Sequence, residues 1–307
     1  MRPSLSTIRR AGRARRAPRS LRPAAVAERI ERARGLDPVV RGLSGTVVRA
    51  LPAGQRTDAL HGVPFGQPVH PALVRLPLGC WTSAVLLDLF RGAGPASRLL
   101  IAAGIAGAAP AAATGLADWS ALHTNQQRVG LAHAICQASA AALFLGSLAA
   151  RAGGRQRPGR VLSASGLAMA SAGSYLGGHL AKRLGAGTSH ADQVSHLAGL
   201  GWHDLCGLGS LPDRRPVRRQ LGYLSLLVYR AGGEVSVLSD RCSHLGGPLH
   251  QGRIVVERGA PCISCPWHGS TFALADGAVV HGPATARQPA FQTRVTGDGR
   301  VEVRPVP

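Results

Sequence analysis

The chain has 307 residues and a formal net charge of +21, from 36 lysines and arginines against 15 aspartates and glutamates, with Lys182 its single lysine. That length accommodates two domains, and an apolar share of 45% excludes a wholly disordered chain. The arginines follow no recognisable nucleic-acid-binding element, so no nucleic-acid partner is expected.

In chain order, residues 1–22 read as a disordered arginine-rich tail able to touch anionic lipid. No apolar stretch follows the early arginines, so neither a signal peptide nor twin-arginine export is expected, and the setting is read as reducing and cytoplasmic. Residues 23–60 predict an amphipathic helical segment. Asp37-Pro38 reads as an N-cap and first helical residue, and Val40, Leu43, Val47 and Leu51 recur at helical spacing.

Residues 61–190 contain four apolar segments, at 71–90, 98–119, 129–150 and 161–180. Each is near the roughly 20 residues that span a bilayer as a helix, which predicts an up-down-up-down transmembrane bundle. Their alanines and glycines suit close helix packing in lipid. A soluble alanine-rich bundle is the rival, because Arg75, Asp88 and Arg98 interrupt the pattern. Four alternating spans place His70, Asp118, Trp119, His123, His133 and His179 toward one face, the face from which the C-terminal domain leaves. Asp88 falls near the other. The histidines are either interfacial groups bonded at helix ends or, for His133 and His179, ligands of haem b or the lining of a quinone site. Arginines in the loops nearly balance across the two faces. Only the missing export signal then places the C-terminal domain in the cytoplasm, beneath a multi-pass cell-membrane domain.

From residue 201 onward the pattern is of strands: 217–230, 234–240, 253–258, 270–274, 277–282, 291–297 and 300–305, broken by turns such as Gly232-Gly233 and Asp298-Gly299. Two stretches carry chemistry. Cys242-Ser243-His244 is followed after twenty residues by Cys265-Pro266-Trp267-His268. One thiolate and one imidazole from each stretch fit an iron–sulfur centre in which two histidines replace two cysteines on one iron. Zinc also accepts two Cys and two His, and Cys262-Ile263-Ser264-Cys265 even supplies a C-x-x-C. Zinc sites, however, usually pair C-x-x-C with H-x-H halves rather than splitting each.

The stretch RCSHLGGPL…CPWHGSTF…DG…GPA closely resembles the Rieske domain family, in particular its small ferredoxin-type branch. The resemblance implies a [2Fe–2S] cluster with Cys242 and Cys265 on one iron and His244 and His268 on the other. The spacer is slightly longer than the family's usual gap, which predicts a longer hairpin around 254–260. Gly247 and Trp267 stand where high-potential members carry a disulfide, and Phe272 stands where they place a tyrosine; Ser270 remains to bond a bridging sulfide. Fewer hydrogen bonds to sulfur imply a potential toward the bottom of the roughly −150 to +300 mV Rieske range. Only 39 residues follow His268, with the single histidine His281, which leaves a ring-hydroxylating mononuclear iron domain unsupported.

HPALVRLPLGCWTSAVLLDL, TGLADW, RVGLAHA and SYLGGHL resemble the bacterial four-helix membrane group known as the domain-of-unknown-function 2231 family. Gln67 replaces a second histidine common before its first span. The expectation is therefore a multidomain protein, an all-α four-helix transmembrane bundle followed by an all-β Rieske domain over 201–307. It would act as an electron carrier rather than a stand-alone enzyme, with the lipid bilayer and a redox protein not encoded here as partners.

Overall fold

The computed structural model describes residues 22–192, 194–197 and 199–306. The tail expected over 1–22 therefore lies outside the described residues, its last residue excepted. The described helices are α1 (Arg22–Arg32), α2 (Asp37–Ala50), α3 (Gln55–His61), α4 (His70–Leu73), α5 (Arg75–Leu87), α6 (Gly94–Ser120), α7 (Thr124–Ala152), α8 (Gln156–Lys182) and α9 (Val194–Leu197). A helical region thus precedes a β-rich one.

Residues 22–61 fold as three helices rather than one. Asp37 does not act as an N-cap: Leu36 holds that position, and the Asp37 carboxylate instead accepts from Arg128 Nε at 2.6 Å. Arg128 Nη1 also donates to the Glu31 carbonyl at 2.6 Å, so one guanidinium ties the first two helices to α7. A charge-assisted bond of this kind outweighs a neutral cap.

The first apolar segment is broken at Val74, between α4 and α5. Pro77 explains the break, since it has no N–H to return to the Leu73 carbonyl. Among the described residues, two helices, α6 and α7, are long and apolar enough to cross a membrane. The remaining two expected spans do not meet that test. α5 has 13 residues, and α8 begins with Gln156, Arg157 and Arg160.

Trp81 of α5 stacks on Phe144 of α7 at 4.5 Å, the centre of an apolar core with Ile101 and Ala170. Gly104 makes room for that indole: a Cβ there would lie 2.4 Å from Trp81 Nε1. At one end of the bundle Asp88 joins four elements. It accepts from Arg151 Nη1 at 2.8 Å, from Ser97 at 2.8 Å and from Ser163 at 3.0 Å, and the Arg151 side chain is fully buried. Asp88, which looked like an interruption of a span, is thereby paired with Arg151.

The β-rich part contains β1 (His203–Gly207), β2 (Val217–Leu221), β3 (Leu224–Ala231), β4 (Glu234–Ser239), β5 (Arg253–Glu257), β6 (Ala260–Ser264), β7 (Thr271–Ala273), β8 (Val279–His281), β9 (Ala290–Val295) and β10 (Arg300–Pro305). One sheet runs β1-β10-β9-β4-β3-β2 and a second runs β5-β6-β7-β8. The longer hairpin expected around 254–260 is β5–β6, turning at Arg258-Gly259 with Ile254 opposite Ile263. β1 and β6 were not anticipated, because His203–Gly207 is neither apolar nor alternating and Ala260–Ser264 includes a proline and only one β-branched residue, Ile263. Leu227, Leu238, Leu249, Ile263 and Phe272 form the core beneath the two loops that carry the cysteines and histidines.

Candidate metal centre

The β4–β5 connection carries Cys242 and His244, and the β6–β7 connection carries Cys265 and His268. The two turns close alike. Cys242 N–H donates to the Gly247 carbonyl (2.9 Å) and Gly246 N–H to the Cys242 carbonyl (2.8 Å). Cys265 N–H donates to the Ser270 carbonyl (2.8 Å) and Gly269 N–H to the Cys265 carbonyl (3.1 Å). Gly246 and Gly269 both sit at φ +78°, a backbone that other residues rarely adopt, which is why each turn needs its glycine.

The turns aim backbone N–H groups at sulfur. Those of His244 and Leu245 point at Cys242, and those of Trp267 and His268 at Cys265. The two sulfurs are themselves within hydrogen-bond reach, so the Cys242 thiol is pushed up while Cys265 falls to about 7. The His244 and His268 rings lie 5.1 Å apart, nearly perpendicular. Burial lowers them to about 3 and about 4, which keeps both imidazoles neutral, the form that binds metal.

Two observations test whether these residues suit a cluster. His244 Nδ1 is buried without any hydrogen-bond partner, in a ring 5.1 Å from that of His268. At Gly247 an added Cβ would stand 2.9 Å from Cys265 Sγ, so this cradle admits no side chain. Two sulfurs, two neutral imidazoles and sulfur-directed N–H groups fit a [2Fe–2S] group. Cys262 does not join them: it is buried in β6 and directs its thiol to the Ala260 carbonyl.

Gln288 and Asp240, which the sequence does not single out, and Ser270, which it does, hold the site. Gln288, 1% exposed, accepts from Ser243 N–H at 2.9 Å and donates to the Ser239 and Arg241 carbonyls at 2.8 and 2.7 Å. Asp240 accepts from the His250 N–H and the Ser225 hydroxyl at the root of the same turn. Ser270, fully buried, accepts from Ala284 N–H at 3.0 Å. A lone glutamine in the run ARQPA gives no sequence signal for such a role.

The helical region packs over the centre. His123 lies 5.5 Å from His268 and 5.2 Å from Trp267 between ring centroids. Asp58 accepts from His281 Nδ1 and from Gly282 N–H, each at 2.8 Å, and His61 bonds Asp118 at 2.8 Å. A cavity of about 50 Å³ lined by His61, Asp118, Ser189 and His244 lies between the two regions, room for water but not for a quinone ring. Of the histidines expected on one membrane face, His70 lies 6.4 Å from His133, whereas His179 is 3.7 Å from Glu31. His133 thus has His70 as its ring neighbour, and His179 has Glu31.

Residues 201–292 match the family model for the Rieske [2Fe-2S] domain, and residues 66–190 match the one described as Predicted membrane protein (DUF2231). The chain is 32% identical over 102 residues to the anthranilate 1,2-dioxygenase ferredoxin subunit of Burkholderia cepacia, covering 33% of this chain and 90% of that one. It is 34% identical over 74 residues to a human Rieske domain-containing protein, covering 24% of this chain and 47%, about half, of that protein. A solved structure of the Sphingomonas yanoikuyae B1 ferredoxin shares 30% identity with a TM-score of 0.30, covering 35% of this chain and all of that one. The chain belongs to the Rieske [2Fe–2S] family, its cluster domain fused behind a domain of the predicted membrane protein family.

Proposed function

We propose that the protein is a membrane-anchored one-electron carrier whose cluster is held by Cys242 and Cys265 on one iron and by His244 and His268 on the other. The observation that carries the assignment is the buried, unpartnered Nδ1 of His244, on the same turn as Cys242, whose sulfur is within hydrogen-bond reach of Cys265. When bound, the cluster takes up and returns one electron at a time. The protein's own residues hold it, keep two imidazoles neutral and direct four N–H groups to sulfur. Without the disulfide of high-potential relatives, and with Phe272 in place of a tyrosine, the potential falls low in the family's range.

Residues 61–190 act as the anchor, a four-helix membrane domain. Its outward surface supports this reading: Leu99 is 71% exposed, Val161 65% and Ile135 58%, as lipid-facing residues would be. The cluster domain, residues 201–307, lies on the cytoplasmic side and exchanges electrons with a separate redox protein. The role resembles that of the dioxygenase ferredoxin subunits to which the domain is similar.

The decisive experiment is electron-paramagnetic spectroscopy of the full chain extracted from membranes, dithionite-reduced, beside Cys242→Ala. A Rieske signal in the wild type and its loss with the iron in the variant are expected. Wild-type iron content in Cys242→Ala overturns the ligand set, and recovery of the chain without detergent overturns the anchor.

A further inference from the structure

We propose that His123, supplied by the helical region, is a positioning residue of the cluster centre: it ties the two ligand turns together and keeps water from His268, which lowers the potential at which the electron is taken up. The inference rests on the electron-carrier reading and adds to the centre a residue from outside the domain that holds the ligands.

One ring meets both turns. In the turn of Cys242, the carbonyl of Leu245 lies within hydrogen-bond reach of the His123 ring. A carbonyl only accepts, so a ring N–H donates to it. In the turn of Cys265, Trp267 stands 5.2 Å and His268 5.5 Å from the His123 ring centre, with ring planes at 73° and 58°. Trp267 itself lies against the first turn, where a Cβ on Gly247 would be 3.1 Å from its Cδ2.

The backbone holds this ring in place. His123 precedes α7, and its N–H donates to Gln126 Oε1 at 2.9 Å. Gln126 is 3% exposed and donates in turn to the Leu184 carbonyl at 2.9 Å, past the end of α8. At the end of α6, Trp119 Nε1 donates to the Gln127 carbonyl at 2.8 Å. Gly130 admits that indole, since a Cβ there would lie 2.4 Å from its Cδ1. Both ends of the short connection are thereby fixed to α7.

The two histidine ligands are covered differently. Leu122 lines the cavity of about 50 Å³ that His61, Asp118, Ser189 and His244 also line, which has room for water. Its neighbour His123 instead puts a ring against His268. Uptake of an electron without a proton adds one negative charge to the centre. Water stabilises that charge and an uncharged ring does not, so displacing water favours the oxidised form. The His123 N–H is directed to Leu245 rather than to a sulfur, and burial disfavours the charged imidazole.

The test is a redox titration of the full chain in detergent at pH 8, followed by the paramagnetic signal, for wild type, His123→Ala and His123→Phe. Iron per chain and signal intensity report whether each variant folds and holds its cluster. His123→Ala should shift the potential upward, and His123→Phe, which keeps a ring, should stay near wild type. In deuterium oxide, the deuterium modulation of the signal should strengthen in His123→Ala and not in His123→Phe. Should His123→Ala fail to hold iron, His123→Val carries the same expected sign. An unchanged or lowered potential in the smaller variant overturns the proposal, as does a shift in His123→Phe as large as that in His123→Ala. Absence of a Rieske signal in the wild type would instead overturn the electron-carrier reading on which the proposal rests.

Discussion

The two cysteine turns depend on close approach, so single atoms decide whether a cluster fits. Gly247→Ala puts a methyl against Cys265 Sγ, and the turn has no slack because Cys242 N–H is bonded to the carbonyl of that same glycine. Iron per chain should fall severalfold while the β-sheet circular dichroism persists; undiminished iron would mean that the turn relaxes. Gln288→Leu removes one acceptor and two donor bonds and strands the Ser243 N–H in the interior, a loss of roughly 1–3 kcal/mol per unsatisfied group. It should lower the thermal midpoint of the cluster domain, read from the bleaching of the cluster's visible absorption. His244→Cys should retain a cluster at a lower potential, since a thiolate adds negative charge where a neutral imidazole stood, and redox titration reads the shift. The ligand candidates were legible because C-x-H and C-x-x-H, with their glycines, are local patterns. Gln288 was not, because its three partners are set by folding and not by spacing.

Among the helices, polar residues act as fasteners between apolar faces. Asp88 reads in sequence as an interruption of a span, yet with Arg151 it joins α7 to the end of α5, with Ser97 of α6 and Ser163 of α8 on the same carboxylate. Removing one partner leaves the other charge buried, at a cost on the order of 3–5 kcal/mol. Asp88→Ala should therefore unfold in detergent at a clearly lower temperature, and Asp88→Leu with Arg151→Met should recover much of the loss. Equal midpoints for Asp88→Ala and wild type would show the pair to be dispensable. Helix content was legible from apolar runs of about twenty residues. The break at Val74 was legible too, had Pro77 been weighed against the length of the run. The three-helix course of residues 22–61 was not, since Arg128 fixes it from α7, far along the chain.

At the scale of the whole molecule, the helical and β-rich regions meet over the cluster's histidine side. Asp58 holds His281 and the Gly282 N–H, and His123 covers His268. Asp58→Ala should loosen this contact and raise the rate at which a soluble reductant reduces the cluster, by severalfold in stopped flow. An unchanged rate would mean that the contact does not limit access. The two-part organisation was visible as a change from long apolar runs to short strands. Their mutual contact was not, because it rests on single histidines and aspartates more than two hundred residues apart, such as Asp58 and His281.

The passage between the two regions is divided unevenly. Ala186 N–H still bonds the Leu180 carbonyl of α8, and His190 N–H already bonds the Ser243 carbonyl beside the cluster, while Ala191 and Val194 lie in the sheet's own core. Gly187, Thr188 and Ser189 join the two, about 10 Å at full stretch, with Thr188 bonded back to the Gly185 carbonyl. Even when the contact opens, the cluster domain stays within that radius of its seat. Reseating is then a unimolecular event at millimolar effective concentration, indifferent to dilution, and an incoming electron partner must compete with a neighbour that never leaves.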